Sequence, residues 1–166
     1  GIYYYRSGQI KNYQNIKEKL KNISDEDSNM FRFLTESAKL DDNYDKVVEY
    51  SYKVIEIEPG DLATRIYLAE VLMALRRFKD AKQQLDEIAK RFKNYPRLNY
   101  FFAKFYMLIN DMDKAIELAE MERKQNPSVV DGALLLGDIF KKKNQRIIFN
   151  TLSFRFRFLF LILVLT

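Results

Sequence analysis

The stretch "YDKVVEYSYKVIEIEP", residues 44–59, reads as a helix with both ends marked. Acidic residues precede it and Pro59 closes it. Val47, Tyr50, Val54 and Ile57, with Ser51 between them, recur three or four apart and place a stripe on one helical face. The same design returns as "FKDAKQQLDEIAKRF" from Phe78 and as "MDKAIELAEMERKQNP" from Met112. The three starts, Tyr44, Phe78 and Met112, lie 34 residues apart each time, and so do Val47, Ala81 and Ala115.

A structural period must hold at other positions too. In frames that start at Ser28, Leu62, Pro96 and Val130, preceded by a truncated one, the eighth place is Gly1, Thr35, Ala69, Ala103 and Gly137, all small. The seventh is Leu34, Leu68, Phe102 and Leu136, all apolar. Tyr4, Ala38, Leu72, Tyr106 and Phe140 share the eleventh place, and Pro59 and Pro127 the thirty-second. The pattern predicts a unit of helix, short turn and antiparallel helix, with turns at 40–43, 75–77 and 109–112. The small eighth place lets the two helices approach. Large residues at the fourth, seventh, eleventh and twenty-fourth places fill the space between them, while the seventeenth and twentieth dock the next helix. One helix pair cannot bury both its apolar faces, so about three units must stack to be stable.

This pattern resembles the tetratricopeptide repeat family, which implies an all-α fold, a right-handed α-solenoid of antiparallel helix pairs. The expected organisation is a repeat domain over 1–145 and an atypical apolar, basic tail over 146–166. The repeat domain comprises a partial unit 1–27, full units 28–61, 62–95 and 96–129, and a partial unit 130–145. The fourth place, usually aromatic in the family, holds Phe31 once but Arg65, Asn99 and Ala133 elsewhere. The Gly start is read as belonging to a piece of a longer chain.

The composition narrows the chemistry. The net charge of +5 is spread unevenly: residues 1–145 carry 25 Lys and Arg against 23 Asp and Glu, and the tail adds Arg146, Arg155 and Arg157 without an acid. The body therefore lacks the concentrated basic face of a phosphate-backbone binder, and nucleic acid is not an expected partner. The chain has no Cys and no His. That removes thiolate nucleophiles, disulfides and imidazole or thiolate zinc sites, as well as the commonest general base near neutral pH. Absence of Cys fits reducing and oxidising compartments alike. The paired carboxylates Asp41/Asp42, Glu56/Glu58 and Glu120/Glu122 read as turn or solvated helix surface, because residues two apart on a helix point to different faces. The five glycines are scattered singly and form no phosphate loop. The chain is expected to be non-catalytic and to take no cofactor or metal.

The resemblance implies a concave wall lined mainly by first helices. Its inward places here include Arg32, Phe33, Ile66, Tyr67, Glu70, Met73, Arg97, Tyr100, Phe101, Lys104 and Met107. Aromatic residues, Met and Arg are the types enriched in binding hot spots, so the wall is expected to receive a peptide or helix of a partner protein. Family members that clamp the C-terminal carboxylate of heat-shock chaperones use Lys and Asn at the fifth and ninth places of one unit. This chain has Arg32 and Glu36 there, and Phe101 where a further cation would stand, so that clamp is not expected.

The tail, "RIIFNTLSFRFRFLFLILVLT", breaks the period. Phe154, Phe156 and Phe158 alternate with Arg155 and Arg157, and the run from Phe158 to Leu165 is wholly apolar. A spanning helix needs about 20 apolar residues, and two central arginines cancel most of the insertion energy of this segment. Three readings stand: a last helix covering the solenoid end, a membrane-contacting anchor, or a non-native end. The anchor would make the protein a membrane-tethered assembly factor, and exposure of the apolar run would lead to self-association. A non-catalytic repeat arm of a larger enzyme is the remaining alternative.

Overall fold

In the computed structural model, which describes residues 10–21, 27–92 and 95–146, helices are the sole regular element among those residues. They are α1 (Ile10–Lys21), α2 (Ser28–Leu40), α3 (Tyr44–Ile57), α4 (Leu62–Ala74), α5 (Phe78–Arg91), α6 (Leu98–Leu108), α7 (Met112–Gln125) and α8 (130–146). The second helices begin at Tyr44, Phe78 and Met112, the residues whose spacing revealed the period. The chain divides into two compact units, Gly1–Tyr95 and Pro96–Thr166.

In the first unit α2 packs on α3, α3 on α4 and α4 on α5, with lighter contact between α1 and α2. Small or slender residues make the close approaches. Ala69 and Ala81 are wholly buried, as are Val47 and Ser51, and Thr35 is 6% exposed. Leu68, Leu72, Leu85 and Ile88 fill the space beside them, all fully buried. Burying one such side chain is worth about 1.5–3 kcal/mol, and this supplies most of the drive for pairing the helices. The α3 stripe lies one step round from the sequence reading. Val47, Val48, Ser51, Val54 and Ile55 face inward, whereas Ile57 is 41% exposed at the end of its helix. Tyr44, expected to dock the next helix, is also exposed, and the twenty-fourth place is filled by Ser51, Leu85 and Ala119, so only one of its three residues is large.

Arg65 occupies the fourth place, where an aromatic would pack. It is buried and turned to another purpose: its Nε and Nη2 donate to the Pro59 carbonyl at 3.3 and 3.2 Å, and its Nη1 donates to Gln84 Oε1 at 3.0 Å. One guanidinium thus ties the α3–α4 junction to α5.

In the second unit α6 pairs with α7, and Ala103, Met112, Ala115, Ala119, Leu135, Leu136 and Ile139 form its core. The basic run late in α8 has structural work. Lys142 Nζ donates to the Met107 carbonyl at 3.0 Å, Arg146 Nη1 to the Asn110 carbonyl at 3.4 Å, and Lys143 pairs with Asp113 at 2.8 Å. Cations placed at the C-terminal end of α6 meet the negative end of its dipole. Gly137 holds the eighth place, but a side chain there would meet nothing within 4 Å, so no close approach requires it.

Each hairpin turns through one left-handed residue, Asp42 (φ 52°), Arg76 (φ 59°) and Asn110 (φ 71°), again 34 apart. The amide of the following residue donates back across the helix end, Asn43 to Ala38 O at 2.8 Å, Arg77 to Leu72 O at 2.8 Å and Asp111 to Tyr106 O at 2.9 Å. The left-handed residue itself donates to Lys39, Met73 or Met107 O. This is the Schellman pattern, normally closed by Gly. Asn43 and Asp111 then cap the next helix by accepting from Lys46 N and Lys114 N.

No helix among the described residues is long and apolar enough to cross a membrane. The tail beyond Arg146, and every reading of it above, lies outside the described residues.

A left-handed non-Gly residue costs about 1–2 kcal/mol, while Gly adds about 0.5–1 kcal/mol of chain entropy. Arg76→Gly is therefore expected to stabilise the protein by roughly 0.5–1 kcal/mol, seen as a higher Tm in thermal unfolding. Arg65→Met removes one partner of buried Gln84 and two donors to Pro59, and is expected to cost about 1–3 kcal/mol in the same assay.

Candidate functional site

The first helices α2 and α4 border a cleft of about 320 Å³ in the first unit. Arg32, Thr35 and Glu36 line it from α2, and Ala63, Thr64 and Tyr67 from α4, with Val54 of α3 as its floor. The period explains the arrangement: Arg32 and Glu36 are one turn apart on α2, and Ala63 and Tyr67 one turn apart on α4.

The cleft is polar on one side. Arg32 reaches the loop between α3 and α4, where Nη2 meets Glu58 at 2.7 Å and Asp61 at 2.6 Å. The Ser28 hydroxyl donates to the same Glu58. Asp61 also caps α4, accepting from Thr64 N at 3.0 Å and Thr64 Oγ1 at 2.6 Å. Burial opposes its charge, but the two Thr64 hydrogen bonds and the nearby guanidinium prevail and hold its carboxyl below the ordinary value of 3.8. Tyr67 is half-buried, and Lys39 Nζ stands 5.2 Å from its ring centroid. Burial first, then the neighbouring charges led by Glu36, pushes the Tyr67 hydroxyl above its ordinary range.

In the second unit, Tyr100 and Phe101 are the aromatic residues expected on the wall. Tyr100 and Phe101 meet edge to face with centroids 5.4 Å apart. Arg97 lies 4.8 Å from the Tyr100 centroid and Lys104 5.8 Å from it, so two cations flank one ring. Arg97 Nη2 pairs with Asp131, while its buried Nε has no partner.

Of the side chains expected on the wall, Ile66 and Met73 are 9% and 3% exposed and belong to the core. Their helix is apolar nearly all round, so its sequence did not mark the inward face. Phe33 packs partly on the Phe31, Leu34 and Val54 cluster, and Tyr100 and Met107 partly on the second unit's core. Arg32, Tyr67, Glu70, Arg97, Phe101 and Lys104 retain exposed surface. Sequence reasoning missed the ion pairs that hold Arg32. Their partners lie 26 and 29 residues away, and the signal available was the Glu58 to Asp61 acid spacing at the head of α4. Among the described residues no acidic group is gathered as a metal would require.

Residues 38–98 match the tetratricopeptide repeat family. Over that segment the chain carries the tetratricopeptide repeat pattern. No curated protein matches it. Among solved structures it is similar to a tetratricopeptide repeat protein from Parabacteroides merdae, with a TM-score of 0.75, 10% identity, 85% of this chain covered and 55% of that one. MamA from Desulfovibrio magneticus RS-1 is similar at a TM-score of 0.64 and 18% identity, over 81% of this chain and 85% of that one. So is the TPR2B domain of yeast Sti1, solved as a complex with pHsp70, at 0.59 and 17%, over 72% and 97%. At these identities the likeness shows the fold, an all-helical tetratricopeptide-type solenoid. The chain spans just over half the length of the Parabacteroides protein. Proteins of this repeat family generally serve protein–protein contact and are generally non-catalytic.

Because folding lowers the Asp61 pKa, Asp61 contributes stability above pH 3.8 that is lost as the pH falls through its folded-state value. Asp61→Asn keeps a capping oxygen but not the charge. The Tm gap between wild type and variant is expected to be present near neutrality and to close well below pH 3.8.

Proposed function

We propose that the chain is a non-catalytic scaffold that binds a peptide or helix of a partner protein through the exposed faces of its first helices. The observation that carries this reading is the cleft between α2 and α4, with Tyr67 half-buried on its wall and Val54 at its base. An apolar floor under a few convergent polar groups is the usual make-up of a recognition site. The Tyr100 and Phe101 pair adds a second aromatic surface, one ring of which two cations already contact.

Both arginines of the expected wall are engaged within the chain, Arg32 by Glu58 and Asp61, and Arg97 by Asp131. A carboxylate ligand would have to displace those partners, which argues for side-chain recognition along the partner rather than for capture of a chain terminus.

The test is a fluorescence-anisotropy screen of a random peptide library against wild type, followed by titration of Tyr67→Ala and Tyr100→Ala with the peptides found. Truncating a hot-spot aromatic is expected to weaken binding roughly tenfold or more, with helical circular dichroism retained. Unchanged affinity in both variants would sink the reading.

A further inference from the structure

We propose that the α2–α4 cleft is a subsite for a basic side chain, arginine foremost, of the bound peptide. The proposal rests on the peptide-binding reading above and specifies what its first-unit subsite selects.

The charge ledger of the cleft carries the argument. Its lining cation, Arg32, is already matched by two carboxylates, Glu58 at 2.7 Å and Asp61 at 2.6 Å. Glu36, on the same wall one turn further along α2, has no ion pair or hydrogen bond among the described residues. Counting Lys39 beside Tyr67, the region holds three acids, Glu36, Glu58 and Asp61, against two bases. An entering cation thus gains an uncommitted carboxylate, whereas an entering anion meets an arginine whose charge is spent. Burial and the charge of Glu36 both raise the Tyr67 hydroxyl, which fits a negative potential at the ring.

A second observation points the same way. The face of Tyr67 already receives a cation from within the chain, with Lys39 Nζ 5.2 Å from the ring centroid. Lys39 is exposed, so its contact is the weak kind a better-fitted cation can share or displace. The volume of about 320 Å³ suits one long side chain. Its methylene stem would lie on Val54 and Ala63 while its head reaches Glu36 and the Tyr67 face. Arginine suits this better than lysine, because a planar guanidinium can stack on the ring and pair with the carboxylate by two parallel hydrogen bonds.

A positional-scanning library of fluorescein-labelled, end-capped peptides provides the test. Wild type is expected to select Arg or Lys at one position, and replacing that residue by Gln should weaken binding roughly tenfold. Glu36→Gln should abolish the preference with helical circular dichroism retained, and Glu36→Lys should turn it towards Glu. Higher ionic strength should reduce the preference. If peptides bind but no basic position emerges, or Glu36→Gln leaves the preference intact, the cation subsite is overturned and the scaffold reading stands. If no peptide binds to correctly folded wild type, both are overturned.

Discussion

Each helical hairpin depends on reversing direction within a few residues, and one left-handed residue at the end of the first helix accomplishes it. At Asp42, Arg76 and Asn110 the backbone takes a conformation that favours Gly, yet none of them is Gly. The turn survives because its neighbours secure it: crossed backbone hydrogen bonds close the end of each first helix. Burial of the paired faces then outweighs the local strain. With the turn fixed, Val47, Ala81 and Ala115 fall at the closest approach of the packed helices, and all three are wholly buried. A period in sequence becomes a period in space because the turn is the same length each time.

The polar features of the two units follow from where that packing leaves room. Arg65 replaces an aromatic and becomes a tie between loop and helix. Arg32 spans from α2 to the head of α4 and fixes one side of a cleft. Part-exposed ion pairs such as those of Arg32 contribute little to stability, about 0–1 kcal/mol each. Their larger effect is on the charge balance of the cleft, where Glu36 is left unpaired among the described residues.

Much of this architecture is legible in the sequence. The starts of α3, α5 and α7 are stated by a repeated spacing, and buried small residues recur at the eighth and twentieth places. Helix existence and phase depend on local order along the chain, which a sequence displays directly. What was less legible depends on neighbours. Ile55 rather than Ile57 turns inward, because the buried stripe runs through Val47, Val48, Ser51, Val54 and Ile55 and leaves Ile57 outside it. Frame position assigns Ile66 and Met73 to the wall, but α4 is covered on most of its circumference and both are buried. The commitment of Arg32 to Glu58 and Asp61 joins residues nearly a repeat apart, and no periodic pattern marks it.

The Arg97 and Asp131 pair has a consequence for how such an array can grow. Both residues occupy the second place of consecutive frames, where the earlier frames have Asn29 and Ala63. A tandem duplication of residues 96–129 would bring a second arginine, not an aspartate, to face Arg97. Like would meet like at the new junction. The pair therefore acts as a weak label for sequential order: copying this unit beside itself would exchange a part-exposed ion pair for a like-charge contact at the new junction.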